Sequence, residues 1–213
     1  MDEFENKSQE NSEEINEEII EENAQETFEE EIDEPKKGIL REILDWLICI
    51  VVAVAIALVI RNYVFTLVNV SGHSMDPTLN DKDVLYVNRF MYEPEVGDII
   101  VFKPKNSPDT PYVKRVIALE GQVVELDYDT GSVIVDGETI EEDYILEPID
   151  ALHFGNMTYP YTVPEDHIYA LGDNRNNSSD SRLVSVGAVS EESIIGKAIF
   201  RILPFGEFGS LYK

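Results

Sequence analysis

Several things are scarce in this sequence, and each scarcity excludes something. There is one cysteine, Cys49, in 213 residues, so no intrachain disulfide can form. An oxidising compartment permits such bridges without requiring them. Three histidines, His73, His153 and His167, are scattered without ligand-like spacing. With a single cysteine they speak against a structural zinc site, and neither metal nor cofactor is expected. Lys and Arg number 16 against 43 Asp and Glu, a formal net charge of -27. Nucleic acid is therefore not an expected partner, because phosphate binding needs clustered cations. The sequence has no internal repeat, and no long amphipathic helix follows residue 65.

What is present is unevenly spread. Residues 1–34 hold 16 acidic side chains and one lysine. With few large apolar groups, such a segment cannot bury enough surface to offset the entropy of ordering, and residues 1–37 are expected to be a disordered acidic tail. Pro35-Lys36-Lys37-Gly38 punctuates the chain, and LREILDWLICIVVAVAIALVI follows from Leu40 to Ile60. Its uncharged stretch, Trp46 to Ile60, together with the turn before it that holds Ile43 and Leu44, nears the ~20 residues that cross ~30 Å of hydrocarbon, so residues 38–62 are expected to anchor the chain in a membrane, with lipid as a partner. The long acidic leader and the absence of a small-residue cleavage site just after the run argue against a removable leader peptide. Lys36, Lys37 and Arg41 precede the span and only Arg61 follows it closely. That bias places the N-terminus in the cytoplasm and residues 63–213 outside a cell membrane crossed once.

The outer part reads as all-β. Residues 83–87, 98–102, 112–119, 122–126 and 132–135 are short β-branched or aromatic runs. Asp129-Thr130-Gly131 and Asp136-Gly137 read as tight turns. A folded barrel or sandwich of short strands is expected, with a small accessory β region at about 122–168.

Four polar islands interrupt the strands. Ser71 to Leu79 (SGHSMDPTL) presents a serine between Gly and Pro, as a tight loop would. Gly97-Asp98 opens a strand and reads as structural. Tyr112 to Leu119 (YVKRVIAL) places Lys114 inside an apolar strand, where an unpaired ammonium is costly. By alternation Tyr112, Lys114, Val116 and Ala118 share one face and Arg115 points the other way. Desolvation lowers a lysine pKa, and a neutral amine can act as general base for a serine hydroxyl. The strand alone fits equally a lysine whose head reaches past its edge to water. Gly172 to Arg182 (GDNRNNSSDSR) is an exposed loop or a hydrogen-bonded buttress, in which Asp180 and Arg182 could pair.

Taken in order, behind the apolar span, these blocks resemble bacterial type I signal peptidases from about Trp46 to Phe205. The resemblance implies a mostly β, signal-peptidase-like catalytic domain that removes N-terminal signal peptides from exported preproteins, preferring Ala-x-Ala before the cut. By match of motif it implies Ser74 as nucleophile and Lys114 as general base. Ser178 would hold the lysine amine, Asp180 and Arg182 would form a supporting ion pair, and Met75 would help shape the groove floor. Tyr112, Asp173 and Gly72 fall in the same blocks as further supporting positions. Some family members carry a serine where Gly72 stands, whose hydroxyl helps stabilise the oxyanion; here backbone N–H groups, that of Ser74 among them, would have to serve. Two more departures are Glu120-Gly121-Gln122, where Pro-Gly-Asp is common, and Leu183 to Ala188 (LVSVGA), in which Gly187 fits a glycine-lined groove wall.

Three rival readings differ in kind. A histidine base would need His73, His153 or His167 at the serine, and residues adjacent in extended chain, as His73 and Ser74 are, point apart. A catalytically silent, membrane-anchored β module could bind peptides without cutting them. A self-cleaving repressor would need a DNA-binding domain where this chain has an acidic tail and an apolar span.

Overall fold

The computed structural model describes residues 38–212. The expected acidic tail, and the lysines that carry much of the orientation argument, lie outside them. One helix, α1 (Ile39–Tyr63), runs 25 residues. Within it, Arg41–Ile60 is long and apolar enough to cross a membrane, with a mean hydropathy of 3.0 and none of that stretch buried. A helix apolar on all sides finds its partner in lipid rather than in a protein core. The chain divides at Ala53, inside this helix, and all the strands belong to the second unit.

Among the described residues twelve strands follow, in two antiparallel sheets. The larger contains β1 (Phe65–Asn69), β2 (Val84–Asn88), β3 (Ile99–Phe102), β4 (Tyr112–Ala118), β9 (His167–Leu171), β10 (Val189–Ser190), β11 (Ile194–Leu203) and β12 (Gly209–Ser210). Its order is β1-β2-β11-β3-β4-β9-β10, with β12 added to β11. The path has two ends, β1 and β10, so by pairing it is an open sheet rather than a closed barrel. The smaller sheet holds β5 (Val123–Leu126), β6 (Val133–Val135), β7 (Glu138–Thr139) and β8 (Tyr161–Thr162), in the order β7-β6-β5-β8. It falls between residues 122 and 168. After α1 the described residues contain only three-residue 3-10 turns as helix.

The strands form where β-branched residues can be buried on both faces. In β3 all four side chains are buried. Ile99 and Val101 pack with Met75, Leu79, Leu85, Val87 and Val113, while Ile100 and Phe102 pack with Val116, Ile168 and Ala170. A third cluster joins Ile117, Ala118, Tyr169 and Leu171 to Val124, Val133 and Val135 of the small sheet. Alternation in β4 holds only as far as Val116. A register shift between Val116 and Ala118 sends both Ile117 and Ala118 into the third cluster, so Ala118 does not pack with Val116 as strict alternation predicts.

Candidate active site

Ser74 lies in the loop joining β1 to β2. The loop is closed at its base by the strand pairing, continued by Val70 N–H to Asp83 O at 2.8 Å and Lys82 N–H to Val70 O at 2.9 Å. Met75 and Leu79 pin it from below, 1% and 0% exposed in the cluster under β2 and β3. Gly72 adopts φ +91°, a conformation a side chain resists, and its N–H donates to Asp81 Oδ1 at 2.9 Å. The loop therefore turns where a serine at this position would be strained, and it carries no side-chain hydroxyl there.

Lys114 arrives from β4, 40 positions away in sequence. Its Nζ lies 2.7 Å from Ser74 Oγ and donates to Val113 O at 2.8 Å. The side chain is buried, and Tyr112 places its ring 5.3 Å from the amine. Burial lowers the Lys114 pKa to about 8, against the pull of Asp180 and Asp173 in the other direction. A serine hydroxyl beside an amine that is substantially neutral near pH 8 can donate its proton to that amine.

The segment Gly172 to Arg182 buttresses this pair. Asp180 and Arg182 are both buried and meet in two contacts, Nε to Oδ1 at 2.8 Å and Nη2 to Oδ2 at 2.7 Å. Gly172 N–H also donates to Asp180 Oδ2 at 3.1 Å. Burial pushes the Asp180 carboxyl up, but Arg182 and this backbone donor outweigh it and hold the pKa below the usual carboxylate range. Asp173 takes Arg115 in a second two-contact pair, at 2.9 and 2.6 Å, and accepts from Thr78 Oγ1 at 2.6 Å. The Arg115 guanidinium also lies 4.0 Å from the centroid of the Tyr144 ring. Arg175 and Glu142 form a further buried two-contact ion pair that ties the segment to the chain after β7.

Most of the sequence-predicted residues meet here. Gly72, Ser74, Met75, Tyr112 and Lys114 line one cavity of about 410 Å³, with Val68 and Val70 at the end of β1. A larger cavity of about 620 Å³, lined by Arg115, Tyr144, Arg201 and Tyr212, contains neither Ser74 nor Lys114. Asp173, Asp180 and Arg182 stand behind the Ser74–Lys114 pair as braces. The expected contact of Ser178 with the lysine amine is not made: Ser178 Oγ is buried without a hydrogen-bond partner, packed against Gly172. Gly187 does not line the cavity; its N–H instead closes a turn on Leu183 O at 2.8 Å. The altered turn after Leu119 is self-satisfied, since Gln122 Oε1 accepts from Leu119 N–H at 2.9 Å.

No histidine touches Ser74 Oγ. His73 pairs with Asp76 at 3.1 Å, His153 with Asp150 at 2.5 Å, and His167 with the Glu165 carbonyl at 2.7 Å. Gly97 and Asp98 are structural, with Asp98 held by Lys197 at 2.5 Å and by the Tyr92 hydroxyl at 2.8 Å. The sequence reading missed Arg115, Thr78 and Asn174. Arg115 carried a usable signal: an arginine inside an apolar strand must find a carboxylate.

Comparison with known proteins identifies the family. The family model described as signal peptidase, peptidase S26, matches residues 43–203. Signal peptidase I S of Bacillus subtilis (strain 168) is 35% identical over 178 residues, covering 78% of this chain and 92% of that protein. The probable signal peptidase I-1 of Synechocystis sp. is 38% identical over 173 residues, covering 76% of this chain and 83% of the relative. A crystal structure of a signal peptidase I from Enterococcus faecalis V583 is 30% identical with a TM-score of 0.38, covering 50% of this chain and 97% of that one. Together with the apolar α1, these relatives mark a membrane-anchored protein. The chain belongs to the signal peptidase family, peptidase S26, and is a serine endopeptidase.

Proposed function

We propose that this enzyme removes N-terminal signal peptides from exported preproteins, with Ser74 as nucleophile and Lys114 as general base. The observation that carries the reading is the 2.7 Å approach of Lys114 Nζ to Ser74 Oγ, at a buried amine whose pKa burial lowers to about 8. The neutral amine accepts the Ser74 proton as Oγ attacks the scissile carbonyl carbon. The developing oxyanion is met by backbone N–H groups, that of Ser74 among them. Collapse breaks the C–N bond, and the proton on Lys114 passes to the leaving amine of the mature chain. The signal peptide is left as an ester on Ser74. Lys114 then takes a proton from water, the hydroxide attacks the ester, and Ser74 Oγ leaves with that proton returned.

The side chains bordering the dyad, Val68, Val70 and Met75, leave a modest apolar recess that favours small residues such as those of an Ala-x-Ala site. Residues 38–62 would anchor the chain in the cell membrane, residues 1–37 form a cytoplasmic tail, and residues 63–213 form the extracytoplasmic peptidase, with residues 122–168 as its small accessory region. Membrane lipid is a partner of the anchor. A shared membrane raises the effective concentration of a substrate held there by its own signal sequence.

The test uses the full chain in lipid vesicles with a membrane-inserted preprotein bearing an Ala-x-Ala site. Ser74→Ala and Lys114→Ala should each lower cleavage by on the order of 10³-fold or more while remaining folded. The wild-type rate should rise with pH along a single limb with a midpoint near 8. Continued cleavage by Lys114→Ala would reject the dyad. A wild type that binds the preprotein but never cuts it would leave the silent peptide-binding module in its place.

A further inference from the structure

Asn174 has no place in the mechanism above and does not line the cavity that holds the dyad. It is nonetheless buried, 8% exposed, and touches the peptide groups on both sides of the Ser74 α-carbon. Its side-chain Nδ2 donates to His73 O at 2.9 Å, and its backbone N–H donates to Ser74 O at 3.1 Å. In a planar trans peptide the carbonyl and the following N–H point in opposite directions. A His73 carbonyl turned toward Asn174 therefore turns the Ser74 N–H away from it. Among the described residues that N–H donates to no protein acceptor. Asn174 is itself immobilised: Asp173 before it is held by Arg115 and Thr78, and Arg175 after it donates from Nε to Gly172 O at 3.0 Å.

We infer that Asn174 is a positioning residue that sets the direction of the Ser74 N–H, keeping it aimed at the oxyanion from behind the nucleophile. With no serine at position 72, that backbone donor carries a larger share of oxyanion stabilisation, and so does the residue that aims it. The inference rests on Ser74 being the nucleophile.

Asn174→Asp keeps the shape but replaces the donor with a carboxylate oxygen facing the His73 carbonyl; Asn174→Ala removes the group. The full chain would be assayed for kcat, KM and pH dependence. Its affinity for a peptide aldehyde, which forms a tetrahedral adduct on a serine, would be compared with that for an uncleavable peptide of the same sequence. In both variants kcat should fall by on the order of 10²-fold, the loss typical of one oxyanion donor. KM, the midpoint of the basic limb and binding of the uncleavable peptide should stay at wild-type values, while aldehyde affinity falls with kcat. An unchanged kcat would overturn the inference, and so would a displaced midpoint, which would mean action through Lys114. Equal losses for aldehyde and uncleavable peptide would overturn it too, as a collapsed groove. The nucleophile reading fails separately, if Ser74→Ala still cleaves or still captures the aldehyde.

Discussion

The α-carbon of Gly172 lies against the carbonyl oxygen of Ser74, and a methyl group added there would come within 2.4 Å of that oxygen and 2.2 Å of Ser178 Oγ. The glycine is what lets the buttress segment lie directly on the loop that carries Ser74. Only then can the Asn174 N–H reach Ser74 O and the Gly172 N–H reach Asp180.

Gly172→Ala should therefore displace Ser74 from Lys114 rather than merely crowd the core. Overpacking of this kind costs roughly 1–3 kcal/mol, and a nucleophile moved by about 1 Å loses on the order of 10²-fold in rate. Thermal unfolding and cleavage assays on the purified variant check both figures. Full activity would mean that the segment yields without disturbing the dyad.

The buried Lys114 amine also makes a statement about stability. Its pKa is lower in the folded chain, about 8, than the ordinary lysine value of 10.5. Between those two pH values the unfolded chain holds a proton that the folded chain lacks, so folding stability rises with pH across that window. Below pH 8 the folded protein carries the full cost of a buried ammonium, roughly 3 kcal/mol. Lys114→Met should accordingly be more stable than wild type at pH 7, with the gap closing as pH rises from about 8 toward 10.5. Denaturant melts of both proteins at several pH values test this; parallel curves would place the amine at its ordinary pKa.

The Asp180–Arg182 pair behaves in the opposite sense. Removing one partner leaves the other buried and uncompensated, so Asp180→Asn should destabilise the fold by about 3–5 kcal/mol. The folded Asp180 pKa is depressed, so the contribution is complete above the unfolded value and disappears as pH falls through the folded one. The stability difference between variant and wild type should be constant near neutrality and shrink in acid. Urea melts from neutral to acid pH measure it, and a difference that persists in acid would mean that the damage is steric.

Much of this was legible in the sequence because the informative residues are chemically out of place. Lys114 and Arg115 stand in an apolar strand, Gly72 and Pro77 bracket a serine, and a dense polar run follows Leu171. The runs later seen as β2 to β6 were identified to within about one residue, since their β-branched residues are buried over short, turn-bounded stretches. The longest strand, β11, was not. Its register shifts between Ala198 and Phe200 and between Arg201 and Leu203 destroy the two-residue period on which a strand is recognised. The first strand, β1, was hidden by the apolar run that precedes it. The braces at Asn174, Thr78 and Arg115 join residues up to 101 positions apart, and local pattern cannot report such pairings.

The sheet order has a consequence for how the enzyme is made. The loop carrying Ser74 belongs to the β1–β2 pair, and Lys114 belongs to the β3–β4 pair. These two pairs do not bond to each other; β11, residues 194–203, lies between them and bonds to both. Without β11 the serine and the lysine would stand on two hairpins with no strand to join them. The approach of Lys114 to Ser74 therefore depends on a strand that follows both hairpins in the chain.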